Sequence, residues 1–296
     1  MAGVRRIATL MVPGILGSSM AQLSLLLDTV IASFLVTGSI AWLYYADRLM
    51  EFPLGVFSIA LATVILPGLS AHHAQDSREQ FSRTLDWALR MTVLVASPAA
   101  VGLLCFATPI TASVFGYGRF TPEDVRMASY ALMAYSWGLL GFSLVKVLAP
   151  GYYARQDTKR PVRIALIALA CSMTLNVLVV LPAAHFGMPA PHVLLATSTC
   201  IGAAVNTVLL WRGLRRDGVF QPSPQWPRFL LQVVLANLAM GAVLLWLSGE
   251  GARWAGLPVG QRLLECAAGI AAGAATYGAV LWLAGWRPRD LRSGVA

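Results

Sequence analysis

A chain of 296 residues in which 57% are hydrophobic and 12% charged, with a mean hydropathy of +0.68, holds more apolar side chain than a soluble fold can bury. The formal net charge of +9 does not point to nucleic acid, because the basic residues are scattered between apolar runs without an aromatic and basic platform. Cys105, Cys171, Cys200 and Cys266 each lie alone in an apolar run, which excludes a disulfide framework or zinc spacing and leaves packing thiols.

The fold class is all-α, a polytopic membrane helix bundle. Eight spans are expected, at about 9–35, 44–70, 86–111, 127–150, 162–183, 190–211, 229–248 and 263–285. The apolar run after Arg5 and Arg6 is too long for a signal-peptide core and carries Pro13 and Gly14, so the first helix is expected to be retained. An even count puts both termini on one side. With that side inside, the inner segments hold sixteen of the 22 lysines and arginines and the outer ones four, Arg119, Arg126, Arg253 and Arg262. The positive-inside rule then places both termini in the cytoplasm.

In the first helix, Gln22, Ser24, Asp28 and Ser33 sit among leucines. A carboxylate at that depth must face protein: Asp28 pairs with a neighbouring helix, binds a cation or is protonated, and a structural hydrogen bond is the preferred reading. The second helix enters through WLYYADRLMEFP, Trp42 to Pro53, and from Tyr44 runs about 26 residues, roughly 39 Å. Arg48 shares its stripe with Glu51, Gly55, Ser58 and Ala62, small or polar apart from Ile59, so it is expected to point into the bundle. Pro53 cannot donate to the carbonyl of Leu49, which should bend the helix and open a pocket. The alternative is that Arg48 only pairs with Glu51 or Asp47 at the interface, or snorkels.

His72 to Arg83 is polar, and Asp76 with Glu79 makes a helix start for Phe81, Leu85 and Leu89. His72 and His73 have no carboxylate or cysteine at ligand spacing and read as solvated loop residues. Phe115 to Phe120, FGYGRF, is a glycine turn, after which Thr121, Pro122 and Asp124 supply an N-cap, an N1 proline and an N3 acid. In the helix that follows, Gly138 and Gly141 permit close helix contact, and Lys146 either snorkels or lines a cavity. Gly151 to Arg163 combines interfacial aromatic and basic side chains as a cytoplasmic anchor. Asn176 on the fifth helix, Thr197, Thr199 and Asn206 on the sixth, and Asn237 later are expected to join helices by hydrogen bonds. Gly213 to Arg228, rich in glycine, proline and arginine, reads as a linker, and the last two helices should pack together or hold a lipid chain.

At YYADRLMEFP, FGYGRFT and KVLAPGYYARQDTKRPV the sequence resembles the MurJ (MviN) family of lipid II flippases, within the multidrug/oligosaccharidyl-lipid/polysaccharide exporter superfamily. The resemblance runs over nearly the whole chain. It implies that 1–212 is the second of two six-helix lobes, 213–228 a cytoplasmic linker, and 229–296 a terminal helix pair that forms a groove for a lipid tail. The first lobe is then expected to be absent from this chain, with Met1 an internal start or the edge of a truncated gene. Arg48 matches the family's cavity arginine, and Glu51, Asp47 and Lys146 are the further candidates for the substrate site. Some members bind sodium between the first, fifth and sixth helices of this lobe; Asp28 and Asn176 match two of those positions, Thr197 is the candidate on the sixth helix, and Val180 stands where a second carboxylate is expected.

The expected function is transport of lipid II, its anionic head group crossing the inner membrane by alternating access through a cationic cavity, with a guanidinium suited to bidentate phosphate contact. No nucleophile, base and orienter constellation is present, so no enzyme is expected, and sodium is the single cofactor candidate. Lipid II, membrane lipids and cell-wall synthesis proteins are the expected partners. The alternatives are a related exporter of other polyprenyl-linked saccharides or drugs, and a non-transporting scaffold in cell-wall assembly. A glycosyltransferase acting on polyprenyl phosphates would need metal-binding acids in a loop or extramembrane domain, and the acid-bearing loops here are short.

Overall fold

The computed structural model describes residues 22–75 and 77–287, without the side chains of 57–62, 64, 74, 252 and 255. Asp76 therefore lies outside the described residues, as do Arg5, Arg6, Pro13 and Gly14 and the side chains of Ser58, Ile59 and Ala62. The regular structure of the described residues is helical: α1 (Gln22–Ser33), α2 (Ser39–Ala74), α3 (Arg78–Cys105), α4 (Ala107–Phe115), α5 (Pro122–Tyr153) and α6 (Lys159–Leu175). A π-helical turn, Asn176–Val180, leads into α7 (Leu181–His185), then α8 (Pro191–Arg216), α9 (Trp226–Ser248), α10 (Gly251–Gly256) and α11 (Val259–Leu283). Among the described residues six helices are long and apolar enough to cross a membrane: α3, α5, α6 continued to His185, α8, α9 and α11. The expectation of eight rests further on α2, which covers 44–70, and on α1, described from Gln22.

The helix starts follow local chemistry. Thr121 caps α5: its hydroxyl accepts the Asp124 N–H at 3.2 Å while the Asp124 carboxylate accepts the Thr121 N–H at 2.9 Å, the reciprocal box that the sequence spells. Ser77, next to the expected start, is the N-cap position of α3, and Phe81, Leu85 and Leu89 are buried as anticipated. Two expectations are corrected. His72 and His73 are not loop residues but the last turn of α2, where no breaker intervenes and basic side chains suit the helix C-terminus. The expected span 86–111 is two helices, because Pro109 cannot donate to the carbonyl of Cys105 and its ring crowds that carbonyl, so the chain restarts at Phe106.

Helix α5 is buried on most of its circumference and lies against α2, α3, α4 and α8. At its N-terminal end Leu43, Ala46 and Met50 of α2 meet Leu132, Tyr135 and Leu139 of α5 and Leu195 and Cys200 of α8. At the opposite end, here the linker end, Ile65 and Leu69 of α2, Leu85 and Leu89 of α3 and Tyr152 of α5 form a second core with Leu210, Leu214 and Phe220. A third core seats α9 and α11 on each other and on α3 and α4, through Phe106, Val233, Met240, Leu244, Trp254 and Tyr277. Leu178 on the π-turn, Leu231, Leu238 and Trp246 on α9 and Leu264 on α11 remain exposed, the lipid-facing surface of an integral membrane bundle.

Gly138 makes one of the close helix approaches in this packing. A Cβ there would sit 2.5 Å from the Cys200 sulfur on α8, and one at Gly141 would sit 3.6 Å from the Ala203 Cβ.

At the linker end the α5–α6 turn is locked onto α8. Gln156 takes a positive φ of 60°, which reverses the chain and aims Arg155 and Arg160 at Asp217, at 3.0 and 2.6 Å. Tyr152, expected at the interface, is instead fully buried and donates its hydroxyl to the Leu210 carbonyl at 2.8 Å. The Arg160 guanidinium, and then Arg155, hold the Asp217 carboxyl below its ordinary value against the opposing effect of its partial burial.

Two outcomes are expected. Gly138→Ala should destabilise the bundle by about 1–3 kcal/mol through overpacking, and Cys200→Ala should restore part of the loss, measured by thermal unfolding in detergent. Because the folded-state pKa of Asp217 is lowered, its ionised form stabilises above the ordinary value of about 4 and that contribution disappears as pH falls through the lowered one. Wild type should exceed Asp217→Asn by about 1 kcal/mol at neutral pH, allowing for solvent screening, and the two should converge in acid; a pH-independent difference would remove the ion pairs as its source.

Candidate functional site

The first candidate is the charged entrance of α2. Its buried seam is Trp42, Leu43, Ala46 and Met50, pressed toward α5 and α8, so Arg48 falls on the other side of the helix. The expectation that Arg48 points into this bundle is corrected: its side chain is 52% exposed, and Nη1 donates to Glu51 Oε2 at 2.6 Å. The guanidinium also stacks 4.9 Å from the Tyr44 ring centroid, a contact that the aromatic pair Tyr44 and Tyr45 could have signalled. Asp47 is half-buried next to this pair. Lys146 of α5 is exposed and within electrostatic range of Glu51, so all four predicted residues gather on one face. α2 runs unbroken through Pro53 and Pro67, and Gly55 looks onto open space, so the pocket expected at Pro53 is an open face of the helix.

The second candidate joins α1 to α6 and α8. Asn176 Nδ2 donates to Asp28 Oδ1 at 3.0 Å, the Thr199 hydroxyl donates to Asp28 Oδ2 at 3.1 Å, and the Ser198 hydroxyl donates to the Asn176 carbonyl oxygen. Asp28 and Asn176 are thus brought together as expected. Thr197 is not: its hydroxyl returns to the Val193 carbonyl at 2.8 Å on an exposed face. Positions 197 and 199 lie about 200° apart on a helix at 3.6 residues per turn, so only one of them can face Asp28. Asn176 also opens the π-helical turn, where the extra residue per turn carries Val180 into the core.

These oxygens are of the kind a hard cation takes, but Asp28 is the carboxylate of the cluster and its oxygens are held by the Asn176 amide and the Thr199 and Ser24 hydroxyls. As arranged, the residues fit a satisfied helix junction better than a cation cage, and Val180 adds no oxygen to it.

Two polar clusters were missed by sequence reasoning. Arg262, assigned to an outer loop, lies on α11, is buried, and donates to the carbonyls of Ala112 and Gly116 at 3.0 Å, closing the C-terminus of α4. His192 is buried against Trp42, with ring centroids 5.0 Å apart, and contacts the Met127 carbonyl at 3.1 Å. Both partners are distant in sequence, so no local signal marks them.

The description "Lipid II flippase MurJ" belongs to the family whose model matches residues 1–256. The chain belongs to the MurJ family. A probable lipid II flippase MurJ of Vibrio cholerae serotype O1 is 46% identical over 291 residues, covering 98% of this chain and 54% of that protein. The lipid II flippase MurJ of Burkholderia cenocepacia is 42% identical over 288 residues, with 96% and 54% covered. This chain therefore spans about half the length of the curated relatives it matches. Among solved structures, a lipid II flippase MurJ in an inward closed conformation superposes with a TM-score of 0.68 at 24% identity, over 88% of this chain and 52% of that one. An outward-facing multidrug resistance MATE family transporter gives 0.59 at 17% identity, over 97% and 66%. At these identities the structural likeness establishes the fold, and with it the MurJ and MATE type of helix arrangement.

For the Asp28 junction, Thr199→Val should lower the midpoint of thermal unfolding, since it leaves an oxygen of a buried carboxylate unpaired, at a cost of about 1–3 kcal/mol. Thr197→Val should leave it unchanged. Equal effects of the two changes would overturn the assignment of Thr199 as the partner.

Proposed function

We propose that this MurJ-family chain forms one wall of a lipid II transport path, with the Arg48 face of α2 as the head-group contact. Lipid II presents a diphosphate, and a planar guanidinium can hold phosphate oxygens through two parallel hydrogen bonds that an ammonium cannot reproduce. The observation that carries the reading is that Arg48 stands half-exposed on a membrane helix with Glu51 as its ion-pair partner. Such a pair can exchange: an arriving phosphate takes the guanidinium, and Glu51 stays within range of Lys146. The role is binding and release during rocking of two lobes, without bond chemistry.

In this reading 1–212 is a transporter lobe whose α2 face meets a second lobe, 213–228 is the linker, and 229–296 holds the lipid tail. The concentration of arginines at the linker end supports a cytoplasmic location for that end and both termini. Cell-wall synthesis proteins are the proposed neighbours. For the cation, we infer that Asp28 serves first as a hydrogen-bond acceptor, and that sodium would compete with Asn176 and Thr199 for its oxygens. Asp28→Asn would then remove sodium sensitivity.

The test of the main reading is growth of cells depleted of their own flippase, in a full-length protein with membrane levels checked. Arg48→Ala is expected to abolish rescue and Arg48→Lys to retain part of it. Arg48→Ala combined with Glu51→Gln should fail as the single change does. Full rescue by the double change at equal protein level would mean that Arg48 serves only to neutralise Glu51.

A further inference from the structure

A cavity of about 1120 Å³ opens at the linker end between the first turns of α3, the α8–α9 linker, the start of α9 and the end of α11. Its back wall is organised by Asp86, which is buried. Asp86 Oδ1 accepts the Trp226 indole N–H at 2.6 Å and the Ser223 N–H at 3.2 Å, while Oδ2 pairs with Arg90 Nε at 3.0 Å. Arg90 is held further by Gln225 at 3.2 Å and by the Trp226 and Phe229 rings, 5.7 and 5.9 Å from its guanidinium carbon. Nothing among the described residues accepts a hydrogen bond from the buried Arg90 Nη2. Arg90 neutralises Asp86 within the wall and leaves the surplus charge of the cavity to the residues at its mouth.

The mouth has the same sign. Arg78 and Arg228 line it, are exposed, and have no ion-pair partner among the described residues, whereas Arg83 is paired with Glu79 at 2.5 Å. With Asp86 matched by Arg90 and Glu79 by Arg83, the surplus charge of the lining is that of Arg78 and Arg228. Just beyond the cavity the surface turns apolar, through exposed Leu230 and Leu231 on α9 and Trp282 and Leu283 on α11, while Trp87 and Trp286 line the rim. Cationic groups above an apolar collar, with indoles at the boundary, match the cross-section of a lipid head group above its acyl chains.

The geometry points to a binding site for the head group of an anionic glycerophospholipid, its phosphodiester held by Arg78 and Arg228, and its chains laid along α9 and α11. The assignment rests on the membrane setting of the fold, and it places the chains on the same helix pair that the proposed function gives to the lipid tail. It gives the linker a job: the Asp86–Trp226–Ser223 clamp shapes the cavity, so an occupied site would brace the linker against α3.

Native mass spectrometry of the whole chain in detergent tests it, with phosphatidylglycerol, phosphatidylcholine and inorganic phosphate as probes. Wild type should bind phosphatidylglycerol in preference to phosphatidylcholine, and R78Q/R228Q should bind it about tenfold or more weakly, given the contribution of each basic residue at an anionic lipid surface. Arg119→Gln, exposed in the turn at the other end, should leave binding unchanged. The two substituted arginines are exposed, so thermal unfolding should not move. The proposal is overturned if R78Q/R228Q binds phosphatidylglycerol as tightly as wild type, if Arg119→Gln weakens it equally, or if inorganic phosphate displaces the lipid and so identifies a soluble anion as the ligand.

Discussion

Hydrocarbon offers no hydrogen-bond partner, so each polar group this chain carries into the membrane must be answered by another part of the chain. Much of the long-range architecture is that accounting. The Asn237 amide donates to Ser97 Oγ at 2.9 Å and ties α9 to α3; the Tyr277 hydroxyl reaches the Leu94 carbonyl at 2.8 Å and ties α11 to the same helix. Thr207 donates to Gly141 at 2.9 Å between α8 and α5, and Asp28 gathers α1, α6 and α8. Lipid tails are as apolar as leucine, so burial of leucine gives helices little reason to choose partners, and these few polar contacts together with close packing at Gly138 fix which helix lies against which.

At the linker end, where water is available, the chain uses charge in place of neutral hydrogen bonds. Asp217 holds the α5–α6 turn to the end of α8, and Asp86 holds the α8–α9 linker to α3. Both carboxylates are largely covered and each faces arginine, so the loops are set by ion pairs worth more than those of an open surface. The Asp86 clamp also holds the first residue of α9, and the helix pair α9 and α11 packs on α3. The stiff linker and the basic cavity are thus two results of one arrangement.

The α2 entrance departs from this rule. Arg48 and Glu51 satisfy each other in the open, on a face that no other described helix covers, while the helix's opposite face is fully packed. An ion pair kept at the surface of a membrane bundle is costly unless water or another protein surface meets it. That cost is the physical reason to expect water or another protein surface against this face.

The sequence by itself determined the helical class, the helix starts at Thr121 and near Ser77 and the close approach at Gly138, because these follow from composition, cap chemistry and side-chain size, while the meeting of Asp28 with Asn176 was implied by the family resemblance. Family membership was legible too, in YYADRLMEFP and KVLAPGYYARQDTKRPV, although the match spans about half of the relatives' length. Only the tertiary structure decided the rest. Whether Thr197 or Thr199 faces Asp28 depends on the rotation of α8, which the π-turn and the Gly138 contact set. Whether Arg48 faces in or out depends on which flank of α2 packs on α5, and both flanks carry residues small or apolar enough to do so. That Arg262 caps α4 and Asp86 holds Trp226 requires partners 150 and 140 residues away, and no periodicity within a helix encodes a distance of that kind.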